Sequence, residues 1–203
     1  MIIKETDEPN IHGKMLAGFI NELLIEGNLK VASLDAIAVS EGPGSYTGLR
    51  IGVSLAKALC YASGVPLIAV DTLESLALAI QLEITKDFLD GILLPMIDAR
   101  RMEVYLAGFD PDLNKTLTTR PVIIDPIFSD LLELDTTYYI GGSGSEKVDV
   151  SLFERTIIKV NNINFSSNYI GILAWQKFLN NQFEDVAYFE PVYLKEFAVT
   201  LKG

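Results

Sequence analysis

Side chains able to do chemistry crowd into residues 40–52, with hydroxyls at Ser40, Ser45 and Thr47, glycines at Gly42, Gly44, Gly48 and Gly52, and a guanidinium at Arg50. A glycine loop that opens a helix presents free backbone N–H groups and the positive end of the helix dipole, a setting for an anion or an acidic side chain. Arg50 opposes that dipole in the first turn, so a carboxylate or phosphate partner is expected for it. The glycines fall as G-x-G-x-x-x-G, which is neither the dinucleotide fingerprint nor a P-loop, because Thr47 stands where a glycine is needed and Leu49 and Arg50 follow Gly48. Two readings fit the stretch: a phosphate cradle, or glycines that allow left-handed backbone and close strand-to-helix packing.

Elsewhere the chemistry is sparse. The single histidine, His12, sits at a helix start, and the single cysteine, Cys60, falls inside an apolar helical run. No H-E-x-x-H or C-x-x-C occurs, and a chain with one of each offers no histidine- or cysteine-rich metal set. Ser143 lies in the glycine turn 141–145 outside a nucleophile-elbow register and with no base histidine beside it, so a turn role is expected. Asp98, Arg100 and Arg101 fall at a turn between two strand patterns, where a solvated role and an anion or partner site both fit.

The elements that position these residues follow from periodicity. Residues 1–6 read as an edge strand, Asn10 as an N-cap and 11–26 as a helix whose apolar stripe includes Met15, Leu16, Phe19, Ile20 and Leu23, closed by Gly27. Residues 34–39 read as a buried strand and 49–62 as a helix, on which Gly48, Gly52 and Ala56 recur every fourth residue. Such a bare ridge lets another helix approach, from this chain or from another. A strand at 65–70 and a helix begun by Asp71 and Glu74 complete a β-α-β-α unit. Residues 83–90 suggest a boundary, giving lobes 1–85 and 86–203. Beyond it come a hairpin of 92–98 and 103–109, strands near 122–124 and 138–140, a helix near 126–134, and a helix capped by Ser166 or Ser167 with Trp175 in core or interlobe packing.

At 203 residues and 49% hydrophobic, the chain can bury one good core or two small lobes. Its apolar runs are too short to span a bilayer and no signal pattern opens it. A lone cysteine suits a reducing cytoplasm, and a net charge of −11 argues against a general grip on nucleic acid.

The run 40–54 resembles the signature of the bacterial TsaB (YeaZ) family, formerly filed as glycoprotease or peptidase M22-like. The resemblance continues through Ala56 and Lys57, residues 66–74, residues 98–105, the turn 141–144 and residues 191–194. It implies an α/β fold of the actin-like ATPase class with two lobes. Family members carry two further strands before the segment that resembles residues 1–10, so the first lobe is expected to lack its first two strands. That would separate residues 1–6 from residues 36–39 and leave ladder groups unpaired.

The resemblance also implies a role in making threonylcarbamoyladenosine in tRNA, as a noncatalytic scaffold that pairs with a TsaD-like transferase and a TsaE-like ATPase. It contacts tRNA only indirectly, and it can pair with itself. No cofactor of its own is implied; ATP and threonylcarbamoyl-adenylate are used through the partners. The family's pairing surface maps to the first two helices, here Met15, Phe19, Gly48, Arg50, Gly52 and Ala56. The alternatives are a glycoprotease-like peptidase or a small actin-fold kinase.

Overall fold

Parallel strands need a crossover, and the glycine stretch supplies the entry to one. β1 (Ile37–Gly42) and β2 (Leu67–Asp71) pair in parallel, Ile37 opposite Leu67 and Ser40 opposite Val70. Between them runs α2 (Tyr46–Ser63), with the Ser45 hydroxyl accepting from the Gly48 N–H at 3.3 Å and Gly64, at φ 75°, closing the other end. The computed structural model describes residues 1–6, 12–84, 90–154 and 156–195. Before β1 stands α1 (His12–Glu26), and after β2 comes α3 (Thr72–Glu83), whose first N–H groups are capped by Asp71.

A second sheet has the order β5-β4-β3-β6-β7, built from β3 (Ile92–Asp98), β4 (Glu103–Phe109), β5 (Lys115–Ile123), β6 (Tyr138–Gly141) and β7 (Ile157–Lys159). Its first three strands pair antiparallel, while β3, β6 and β7 run parallel. α3 packs on one face of this sheet, bringing Leu73, Leu76, Ala77 and Ile80 onto Leu93, Ile97, Ala107 and Phe109. The other face is covered by Phe128 and Leu132 over Leu94, Met96 and Ile140. α4 (Ser167–Leu179) returns to the first sheet, setting Leu173 and Ala174 against Ile68, Val70 and Leu78. Thus each sheet is covered in part by a helix that leaves the other.

Several sequence expectations are corrected. Residues 1–6 form no strand; Lys4 instead pairs with Glu22 and Glu26 of α1, and Glu5 accepts from the Ser166 hydroxyl at 2.7 Å. The segment near 126–134 is a short 3-10 turn over Pro126–Leu131, because Pro126 and an Asp125 side chain bonded to Ile127 and Phe128 N–H groups favour a tight turn. β5 begins at Lys115, well before 122, and β7 is additional. Trp175 lies 57% exposed, stacked on Phe178 at 5.6 Å, and is not core. The expected Asn10 cap lies outside the described residues, as do positions 85–89 of the expected boundary. Among the described residues the first sheet has two strands; β1 has no strand on its outer edge, and Ala38 is exposed there.

Candidate functional site

The loop between β1 and α2 is tied down from above by the C-terminal strap. The Val192 N–H donates to the Glu41 carbonyl at 2.7 Å. Gly42 sits at φ 111°, and a Cβ there would lie 2.8 Å from the Val192 carbonyl oxygen, so no larger residue fits this crossing. Arg50 turns back along its helix: its guanidinium donates to the Tyr46 hydroxyl at 3.2 Å and lies 5.5 Å from that ring's centroid. Tyr46 in turn packs against Tyr193 of the strap, with ring centroids 4.8 Å apart. The carboxylate expected for Arg50 is not among its described partners. The Glu41 carbonyl serves the strap, the Gly48 N–H serves the helix cap, and the tight crossing at Gly42 gives that glycine a packing role.

Below the loop lies a band of carboxyl groups. Burial raises the Glu41 carboxyl above its ordinary range, opposed by Lys177 and reinforced by Asp71 and Glu184. Burial raises Glu74 likewise, again opposed by Lys177. Lys177 donates to the Ala69 carbonyl at 2.7 Å, while Lys115 of β5 reaches Asp71 at 2.7 Å and so joins the two sheets. Among the described residues no group of three or more His, Cys, Asp or Glu side chains is arranged to hold a metal ion. Burial also pushes the Cys60 thiol up, leaving it a packed apolar side chain.

The first two helices leave an apolar surface partly open. No residue of α1 whose side chain is described is fully buried, although Met15, Leu16, Phe19, Ile20, Leu23, Leu24 and Ile25 are all apolar. Met15 is 38% exposed and Ile25 more so. α1 rests on α2 where Gly13 meets Ile51; a Cβ on Gly13 would lie 3.2 Å from the isoleucine's Cδ1. The outward side of α2 carries Arg50, Ser54, Ala58, Tyr61 and Ala62. Most of these are short side chains, and they continue the open surface of α1.

The residues predicted for pairing divide accordingly. Met15 and Arg50 are exposed, with Phe19 and Gly48 half-buried. Gly52 is half-buried and faces Val39 of β1, whose Cγ2 lies 3.8 Å from its would-be Cβ, and Ala56 is buried among Val53, Cys60, Leu67, Ala69 and Phe189. At Ala56 the small side chain lets α2 pack closely on its own sheet. The outward row, at Ser54, Ala58 and Ala62, escaped the sequence reading. Its signal was present, because Leu49, Val53, Ala56 and Cys60 mark the opposite, buried side.

A family model described as TsaD, tRNA N6-adenosine threonylcarbamoyltransferase, matches residues 9–200. The chain belongs to this family. Within it, similarity extends to proteins named TsaB. The tRNA threonylcarbamoyladenosine biosynthesis protein TsaB of Bacillus subtilis is 42% identical over 86 residues, a match covering 42% of this chain and 35% of that protein. TsaB of Haemophilus influenzae is 26% identical over 198 residues, covering 91% of this chain and 80% of the relative. A Pseudomonas aeruginosa crystal structure, of an uncharacterized protein with similarity to peptidase YeaZ, superposes with a TM-score of 0.73 at 22% identity, over 92% of this chain and 86% of that one. The TsaB (YeaZ) likeness and the α/β actin-like fold expected from the sequence are therefore borne out. No helix among the described residues is long and apolar enough to cross a membrane.

The glycine signature that carries the resemblance is buried at Gly42, Pro43 and Leu49, while Ser45, Thr47 and Arg50 are exposed.

Proposed function

We propose that this chain is a noncatalytic docking subunit in the synthesis of N6-threonylcarbamoyladenosine in tRNA, pairing with a TsaD-like transferase and, through that pair, with a TsaE-like ATPase. The observation that carries the reading is α1, an apolar helix with no fully buried side chain among those described, lying beside the small-residue side of α2. An isolated helix of this length is marginal in water, and a second pair of helices laid across it would bury Met15, Phe19 and Ile25. The names of the relatives support the pathway. ATP and threonylcarbamoyl-adenylate belong, on this reading, to the partners, and the chain works in the cytoplasm. Without a partner, a second copy can occupy the same face.

The peptidase and kinase alternatives gain nothing from the site. Ser143 uses its hydroxyl to accept the Asp98 N–H at 3.1 Å, a turn role, and the Ser45 hydroxyl accepts the Gly48 N–H in the helix cap. The test is Ala58→Trp, which places a bulky ring on the docking side of α2. Purified TsaD-like partner should bind this variant at least about tenfold more weakly, a change of about 1.4 kcal/mol. Undiminished binding by a folded variant rejects the docking face.

A further inference from the structure

The chain's net charge of −11 hides a local exception that runs across both lobes. At one end is Arg50, folded onto the Tyr46 ring, which packs on Tyr193. Two residues further along the strap, Lys195 lies 5.7 Å from the centroid of Tyr105 and pairs with Glu103, the first residue of β4. Glu103 closes the β3–β4 turn by donating its N–H to the Arg100 carbonyl at 3.1 Å, and Arg100 and Arg101 form the tip.

That tip is built to hold its shape. Arg100 and Arg101 have φ of 73° and 49°, both left-handed and uncommon for side chains of their size. Asp98 fixes the turn by accepting from the Arg100 N–H and from Lys147, each at 2.6 Å, and Lys147 also donates to the Glu103 carbonyl at 2.8 Å. Asp98 and Glu103, the carboxylates of the turn, are thus matched by lysines, whereas Arg100 and Arg101 have no side-chain partner among the described residues. Glu190, exposed on the strap, is the remaining acid beside Tyr193.

From this arrangement we infer that the strip of Arg50, Tyr193, Lys195, Arg100 and Arg101 is a direct contact surface for a single-stranded stretch of RNA. Guanidiniums spaced along a strip meet successive phosphates, and an exposed tyrosine between them offers a face on which a base stacks. Tyr193 is 41% exposed, with its other side supported by Tyr46. An acidic peptide would satisfy the arginines and leave that ring unused. The inference deepens the tRNA reading, replacing the indirect contact implied by the resemblance, and does not depend on the α1–α2 docking face.

The test is fluorescence anisotropy of a labelled oligouridine 12-mer with the full chain at 50 and 200 mM salt. Three guanidiniums acting on a single strand give a slope of about −2 for log affinity against log salt, or about a 20-fold loss across that range. The triple variant Arg50→Ala, Arg100→Ala, Arg101→Ala should flatten the slope and weaken binding at 50 mM at least about tenfold. Tyr193→Ala should weaken it about fivefold or more at an unchanged slope, which separates stacking from charge. Lys159→Ala, paired with Glu146 away from the strip, should change neither. Should a strip variant fail to fold, photocrosslinking of 4-thiouridine RNA to the wild-type chain decides instead, with attachment expected at Tyr193. Absence of binding, a triple variant that binds as wild type, crosslinks confined to other residues, or an oligoglutamate that competes equally and independently of Tyr193 would each overturn the inference. Ala58→Trp should leave RNA binding intact, so failure of the docking reading and failure of this one are separable.

Discussion

Two alanines of α2, two positions apart, should answer to different measurements. A helix turns by about 100° per residue, so Ala56 and Ala58 point to opposite sides. Ala56 is 6% exposed and touches the core formed by Val53, Cys60, Leu67, Ala69 and Phe189, while Ala58 is open. Ala56→Leu forces three more carbons into a filled site, an overpacking cost of about 1–3 kcal/mol. For a chain of this size each kcal/mol shifts the melting temperature by about 2–4 °C, so a fall of about 2–12 °C is expected. Ala58→Trp touches no core and should move stability by less than about 0.5 kcal/mol.

Binding should follow the reverse order. Measured by calorimetry against a purified TsaD-like partner, Ala58→Trp loses affinity with its melting curve unchanged, and Ala56→Leu keeps affinity at temperatures where it remains folded. Thermal unfolding followed by circular dichroism supplies the other axis. An Ala56→Leu chain that melts as wild type yet no longer binds would place Ala56 at the interface and refute the assignment of sides. An Ala58→Trp chain with full affinity would refute it from the other direction.

Two further outcomes are expected. Burial holds the Glu41 and Glu74 carboxyls above the ordinary 4.5, so the folded chain binds these protons more tightly than the unfolded one. The associated stability is fully present below pH 4.5 and is lost as pH rises through the raised values. Glu74→Gln should therefore raise stability at neutral pH and flatten that decline in urea titrations across pH; an unaltered pH profile counts against the burial argument. Asp98 works oppositely, because the Lys147 hydrogen bond lowers it below 3.8 and its contribution disappears as pH falls through the lowered value. At Gly142, φ is 92° and a Cβ would lie 2.6 Å from the Met96 carbonyl oxygen, beside the 2.9 Å bond from the Gly144 N–H to that oxygen. Gly142→Ala should cost at least about 1–3 kcal/mol in denaturant unfolding, and a neutral result would show that the turn can move off β3.

Much of the fold was legible because local chemistry and tertiary packing agreed. The hairpin strands at 92–98 and 103–109 carry apolar runs bounded by an Asp-Ala-Arg-Arg turn, and both appear with those limits. Asp71 reads as a cap and is one, and Gly64, just past the expected helix, adopts the left-handed geometry that stops it. The failures are tertiary. Residues 1–6 have a strand-like composition, but a strand needs a neighbour to accept its hydrogen bonds, and composition does not say where that neighbour is. The side of α2 that faces the sheet was not legible because glycine and alanine suit a close approach equally well to a foreign helix and to the chain's own strand. Nor could periodicity show that α3 would leave β1 and β2 to sit on β3, since an all-round apolar helix says only that it is buried.

The contrast between α1 and α3 is the strongest physical reason to look for a partner. Both helices are apolar, and α3 is enclosed between its own sheets with Leu73, Leu76 and Ile80 almost wholly removed from water. α1 gains no such enclosure: Gly13 meets Ile51 of α2, Glu22 and Glu26 pair with Lys4, and Met15, Leu16 and Phe19 line a cavity shared with Ser40, Thr72, Phe165 and Ile170. Burying a large apolar side chain yields about 1.5–3 kcal/mol, so the exposed faces of Met15, Phe19 and Ile25 are stabilisation that this chain alone leaves unclaimed. α4 differs, since Trp175 and Phe183 spend part of their surface on Phe178. Arg50 stands where the two proposed surfaces meet, at the first turn of α2 and at the end of the aromatic strip. An RNA strand lying along that strip would therefore arrive beside whatever protein docks on α1 and α2, which is the geometry a noncatalytic subunit needs if it is to hold substrate against a catalytic neighbour.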